Sequence, residues 1–211
     1  MTSVTMKTHP VSKILAVRWL VATDPKEPFI YDMMAYVLSQ TPYLMDQGMS
    51  GYGYVTPSMP RPFPVPGVPD TIAGFLGSTI LQDTQDPKEV ERIFKPLNDT
   101  IQARWPGKVI FLQISQSFDS FLDWYNVNYD QGQAGGGTYL ASRLIDGKAL
   151  KGDAKALAEA YKSAMGPGSG ASAFMVAGKG VQEAKPAGGS NAVNPGWRKA
   201  YLHSREFDFC P

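Results

Sequence analysis

The chain has a single cysteine, Cys210, so no internal disulfide can form, and redox compartment cannot be read from it. Its two histidines, His9 and His203, stand with that cysteine at spacings that suit no metal motif, and no metal site is expected. There is no G-x-S-x-G elbow for a serine hydrolase. The run Gly135-Gly136-Gly137 is neither a P-loop nor G-x-G-x-x-G. It leads into a strand rather than a helix N-terminus, so it reads as a plain connection. No apolar run approaches the roughly 20 residues needed to span a bilayer. The opening MTSVTMKTHP lacks the apolar stretch of a signal peptide. A formal charge of +1 gives no electrostatic case for nucleic acid or an anionic membrane as partner.

What is present is 43% apolar content in 211 residues, enough for a sizeable core and one domain. Ser3–Pro10 alternates like an exposed or edge strand, and Ile14–Ala22 is a longer apolar strand with Arg18 in its middle. Asp24 as cap and Pro25 at N1 predict a helix to about Gln40, buried along Phe29, Met33, Tyr36 and Val37. Ser50–Pro57 fits a short strand with Tyr52 and Tyr54 on one face. The proline-dense Pro57–Pro69 excludes helix and central strand and predicts a rigid surface loop. Thr71–Gln82 is a strand bent at its glycines, and Asp86-Pro87 starts a helix to about Trp105 that Pro96 should kink.

The most informative stretch is Val109–Ile145. VIFLQISQ, after the turn Pro106-Gly107, predicts a buried strand. Ser117–Tyr129 predicts a helix capped by Ser117, with Phe118, Phe121, Leu122 and Tyr125 along one face. A glycine-rich connection, 131–137, then leads to the strand Thr138–Ile145. This unit is the expected floor of a ligand site. Gly147–Met165, with Asp153 as cap, predicts one amphipathic helix, Ala171–Val181 a strand, and Asn194–Ser204 a turn and strand. Paired strands between helices point to an α+β layer pair. The expectation is an antiparallel or mixed sheet of about six to seven strands with helices packed on one face.

Several polar and aromatic residues admit two readings. Tyr201 and His203 should share a face of the last strand. His203 is then either a surface histidine or a proton donor over a bound substrate. Arg143, inside an apolar strand, serves a structural ion pair or a ligand. Gln113 and Ser115 share a face and meet ligand or solvent. Tyr52 and Tyr54 line a pocket or belong to the core, and Trp19, Trp105 and Trp124 read as packing.

Taken in order, TSVTMKTHP, FLQISQSFDSFLDWYN, TYLASRLI and NPGWRKAYLH resemble the second half of fungal flavin-linked oxidases of the vanillyl-alcohol-oxidase and berberine-bridge-enzyme type. The resemblance implies a substrate-binding domain: an antiparallel sheet backed by helices and lying over a flavin. Hydride would pass from an alcohol, a sugar or a secondary metabolite to flavin N5. It divides the chain into an exit strand of a flavin-binding domain (1–10), the substrate-binding domain (11–204) and a divergent tail (205–211). His203 and Tyr201 are the implied catalytic candidates, and Tyr52, Tyr54, Gln113 and Arg143 the implied substrate contacts. FAD is implied for the full-length protein, with its main determinants outside this chain, which alone would be inactive. The expected partners are a small-molecule substrate and the missing flavin-binding domain. Full-length relatives are often secreted. REFDFCP departs from the family's ending, and Cys210 is not a flavin attachment site. Two alternatives are a stand-alone flavin-free binder or cyclase/isomerase reusing the pocket, and a non-functional fragment with an exposed apolar face.

Overall fold

The chain is organised around the strand β1, Ile14–Thr23, whose alternate side chains face two different environments. Leu15, Val17, Trp19 and Val21 point into the main core, while Leu20 and Ala22 point to a smaller cluster on the other side. The computed structural model describes all residues except 1–2, 4, 7, 9, 63, 65–67, 133–137, 166–168, 186–192 and 210–211, and leaves the side chains of 138–140, 179 and 206–209 undescribed. His9, Cys210 and the glycine run 135–137 thus lie outside the described residues. Residues 3, 5, 6, 8 and 10 take no regular structure, where a strand over 3–10 was expected.

Six further strands complete one sheet: β2 (Ser50–Pro60), β3 (Thr71–Gln82), β4 (Ile110–Phe118), β5 (Thr138–Asp146), β6 (Ala171–Phe174) and β7 (Ala200–Phe209). Their order is β4-β1-β3-β2-β6-β7-β5, and every neighbouring pair is antiparallel. The helices α1 (Ile30–Asp46), α2 (Pro87–Arg104), α4 (Gly147–Lys151) and α5 (Ala154–Ala164) share the main core on one face. This is the α+β layer pair expected from sequence. The short helix α3, Phe121–Asn128, stands over the opposite face, and α6 (Lys179–Gln182) and a 3-10 turn (Pro195–Arg198) precede β7.

Local chemistry explains most boundaries, including those that differ from expectation. Asp24 accepts from the Lys26 amide at 2.9 Å and closes a turn, so α1 begins only at Ile30. Within α1, Pro42 offers no amide to the Leu38 carbonyl, and the Thr41 hydroxyl donates to that carbonyl instead, at 2.6 Å. α2 starts where Asp86 accepts from Lys88 N. Ser117 and Phe118 still pair with Leu15 and Ile14, so Ser120 rather than Ser117 caps α3. No residue of α3 is buried, and the expected apolar stripe faces outward. Asp146 and Asp153 each cap a helix, which splits the expected 147–165 helix at Gly152. β2 runs through Pro57 to Pro60, admitted by a register break between Thr56 and Met59. The strand expected over 171–181 ends at Phe174, and Lys179–Gln182 turns helical.

The sheet is joined to its helices by aromatic rings laid across glycines. Trp19 stacks on Phe75, with centroids 4.5 Å apart, and leans on Phe94 of α2 at 5.1 Å. Trp19 lies opposite Gly77, and a Cβ built there would fall inside the indole; a Cβ at Gly53 would likewise fall inside the Phe75 ring. Gly77→Ala should therefore lower stability by about 1–3 kcal/mol, as overpacking does. Gly180→Ala, where a Cβ meets nothing within 4 Å, should cost far less. Urea unfolding of both variants checks the pair, and equal midpoints would contradict the ring-on-glycine packing.

Candidate functional site

Opposite the helix layer the sheet is only partly covered, and there β2, β3, β6 and β7 form the floor of an open groove of about 990 Å³. Its centre is Phe174 of β6, which is 8% exposed. Tyr52 and Tyr54 meet it edge-on at 4.9 and 5.8 Å, and the Arg205 guanidinium lies over its ring at 4.6 Å. His203 stands edge-on 6.3 Å from Phe174 and 5.5 Å from Trp197. The far wall is α3, where Phe121, Tyr125 and Tyr129 follow one another at helical spacing. Tyr125 and Tyr129 stack at 5.4 Å. The Ser120 cap that sets the start of α3 therefore also sets the register of this aromatic wall.

The groove gives two titrating groups defined protonation states. Burial pushes the Tyr54 phenol up, against the opposing pull of Arg205, so it is a hydrogen-bond donor at neutral pH. Burial, with the Arg205 charge beside it, holds His203 below the ordinary histidine range, so its imidazole is neutral and can accept a proton.

Of the residues singled out from sequence, the structure gathers Tyr52, Tyr54 and His203. Tyr201 is separated from His203, although strand parity should put them together. A register shift between Ile145/Leu202 and Asp146/Ala200 leaves Tyr201 as the extra residue of a bulge. Its ring joins the main core instead, and its hydroxyl donates to Asp46 Oδ1 of α1 at 3.0 Å. Gln113 lies directly opposite Trp19 and so faces the helix layer, with its Oε1 buried and unpaired; Ser115, opposite Val17, faces the same way. Arg143 is exposed on the edge strand β5, paired with Ser204, whose hydroxyl is bonded by Tyr161 of α5. Among the described residues no group of three or more His, Cys, Asp or Glu comes together as a metal site.

Sequence reading missed Phe174 and Arg205 as groove residues; it placed the unit that holds the α3 rings at the floor of a ligand site, and the structure makes those rings a wall. Helical periodicity puts Phe121 and Tyr125 on one face without saying what lies against it. The depressed His203 pKa has a consequence for stability. Above the ordinary histidine value of about 6.5 both folded and unfolded forms are neutral and nothing is lost. As pH falls through that value the unfolded chain takes the proton first, and stability declines. An NMR titration should place the His203 midpoint below about 6.5. A midpoint at or above it would contradict the burial and Arg205 argument.

No family model matches the chain. It is 28% identical to FAD-linked oxidoreductase apf9 of Gibberella fujikuroi across 95% of this chain and 34% of that protein. Among solved structures, VAO-type flavoprotein MtVAO713 from Myceliophthora thermophila C1 superposes with a TM-score of 0.77 at 22% identity, covering 95% of this chain and 35% of that one. MtVAO615 from the same organism gives 0.56 at 16% identity, covering 92% and 33%. The chain thus spans about a third of the length of the proteins it matches. It is similar over most of its length to one portion of an FAD-linked oxidoreductase and has the fold of one portion of a VAO-type flavoprotein.

Proposed function

We propose that this chain is the substrate-binding part, from the C-terminal half, of an FAD-dependent oxidase of the vanillyl-alcohol-oxidase and berberine-bridge-enzyme type. Its substrate would be an alcohol, a sugar or a secondary metabolite. The observation that carries the reading is the groove itself: Tyr52, Tyr54 and His203 around Phe174, on the sheet face that the helices leave open. The relation to an FAD-linked oxidoreductase supports the redox class.

The residues at the groove suit one side of a flavin and its substrate but not the whole cofactor. Aromatic rings can pack against a flat ring system. A pyrophosphate needs a glycine-rich loop or the start of a helix, and among the described residues the groove lining offers only the start of α3, whose first turn carries the like charge of Asp123. The pyrophosphate would be held by the flavin-binding domain, the partner of this chain. When bound there, FAD would take the substrate hydride at N5. In this reading Tyr52 and Tyr54 orient the substrate, with the protonated Tyr54 hydroxyl donating to a substrate oxygen. Neutral His203 accepts the hydroxyl proton as the substrate is oxidised. Tyr201 keeps a positioning role, holding the bulge that turns His203 toward the groove. Gln113 and Arg143, on the helix side, contribute no substrate contact.

Two measurements test this. The purified chain alone should show no flavin absorbance, and a stoichiometric yellow chromophore would overturn the reading. In the chain joined to its flavin-binding part, His203→Gln should lower kcat/KM by about 10²–10⁴, the usual weight of a general base. Tyr201→Phe should act chiefly on stability. Unchanged turnover in His203→Gln, or turnover without flavin, would favour a binder or isomerase instead.

A further inference from the structure

Beside the aromatic groove lies a second, more enclosed recess of about 440 Å³, which shares Ser78, Trp124 and Asn128 with it. Its floor is set by register. Leu20 pairs with Leu76 and Leu112 in one row, and Arg18 with Ser78 and Ile114 in the next. Trp124 of α3 is its wall. The lining is thus apolar except for three amide or hydroxyl side chains and one charge, that of Arg18.

Arg18 occupies the middle of an inner strand, exposed on the open face between Ser78 and Ile114. Among the described residues no carboxylate stands within ion-pair distance of it. Its side-chain hydrogen bond to Asn128 Oδ1 is a long one, 3.4 Å, and the Asn128 amide itself donates to the Trp124 carbonyl at 2.9 Å. The bond to Asn128 engages one of five guanidinium N–H groups, so the exposed cation keeps donors to offer an anion at the recess. A planar cation at the rim of an apolar recess suits an oxyanion carried on an apolar chain, and a carboxylate meets a lone guanidinium through two parallel hydrogen bonds.

We infer that this recess binds an aliphatic carboxylic acid, or the acid-bearing aliphatic arm of a larger substrate, with the carboxylate on Arg18 and the chain over Leu20, Leu76, Leu112 and Ile114. The inference rests on the open face being the substrate side, and it adds a substrate class to that reading. Arg18 is a specificity-determining residue here, and the aromatic groove takes the part of the molecule that reacts.

The test is calorimetry and amide NMR on the 211-residue chain, titrated with butanoate, hexanoate and octanoate and with the matching 1-alkanols. Each added methylene should tighten binding about fourfold until the recess is full. Each acid should bind about tenfold tighter than its alcohol. Arg18→Gln should abolish the preference for acid while keeping the dependence on chain length, and Arg18→Lys should retain the preference. Ala16→Leu, which fills the recess without adding charge, should flatten the chain-length dependence. Absent binding, equal affinity for acid and alcohol, or a preference that survives Arg18→Gln would overturn the inference. Should the acids fail while His203→Gln still impairs turnover of the flavin-joined protein, the recess assignment falls and the aromatic groove stands.

Discussion

The structure depends on two aromatic rings lying across two glycines. Trp19 crosses Gly77, Phe75 crosses Gly53, and the two rings stack on each other beneath Phe94. Large flat side chains can sit this low on a sheet only where the neighbouring strand has no Cβ. The result is a dense seam down β1, β3 and β2 that fastens the sheet to its helices. Because strand side chains alternate, the same seam forces Arg18, Ser78, Tyr52 and Tyr54 onto the other side. One face carries the main core, and the other is left partly open beside a smaller cluster.

That division is refined at the far end of the sheet by a single extra residue. Without the bulge in β7, Tyr201 and His203 would share a face, and either both would reach the groove or neither would. With it, Tyr201 ties the strand to α1 through Asp46, and His203 stands half-buried in the groove beside Phe174 and Arg205. The neutral state of His203 follows from the same placement, since burial and an adjacent guanidinium both oppose its protonation. Position, orientation and protonation of this one histidine thus have a common structural origin.

Much of the fold was legible because its signals are local. β3 spans Thr71–Gln82 as expected, and Asp86-Pro87 and Asp153 mark the helix starts they predict. The site was harder to read. Tyr52 and Tyr54 were legible, because glycine at 51 and 53 leaves the tyrosines as the side chains of one face. Gln113 was misplaced because alternation within a strand does not reveal which face the helices take. Only pairing with Trp19 decides that. Tyr201 was misplaced because a bulge is a property of two strands, and its partner at Ile145–Asp146 lies far away in sequence. The α3 rings were legible as one helical face, but periodicity alone does not say what that face meets. Here the stripe looks across a groove.

The central claim is that the open sheet face, rather than the helix layer, meets the flavin-binding part. Hydrogen exchange of the chain with and without the flavin-binding part of a related oxidoreductase tests it most directly. The expected result is new amide protection confined to β2 around Tyr52–Tyr54, to α3 and to β7 around His203. Protection on the outer sides of α1, α2 and α5, or no protection anywhere, would contradict it.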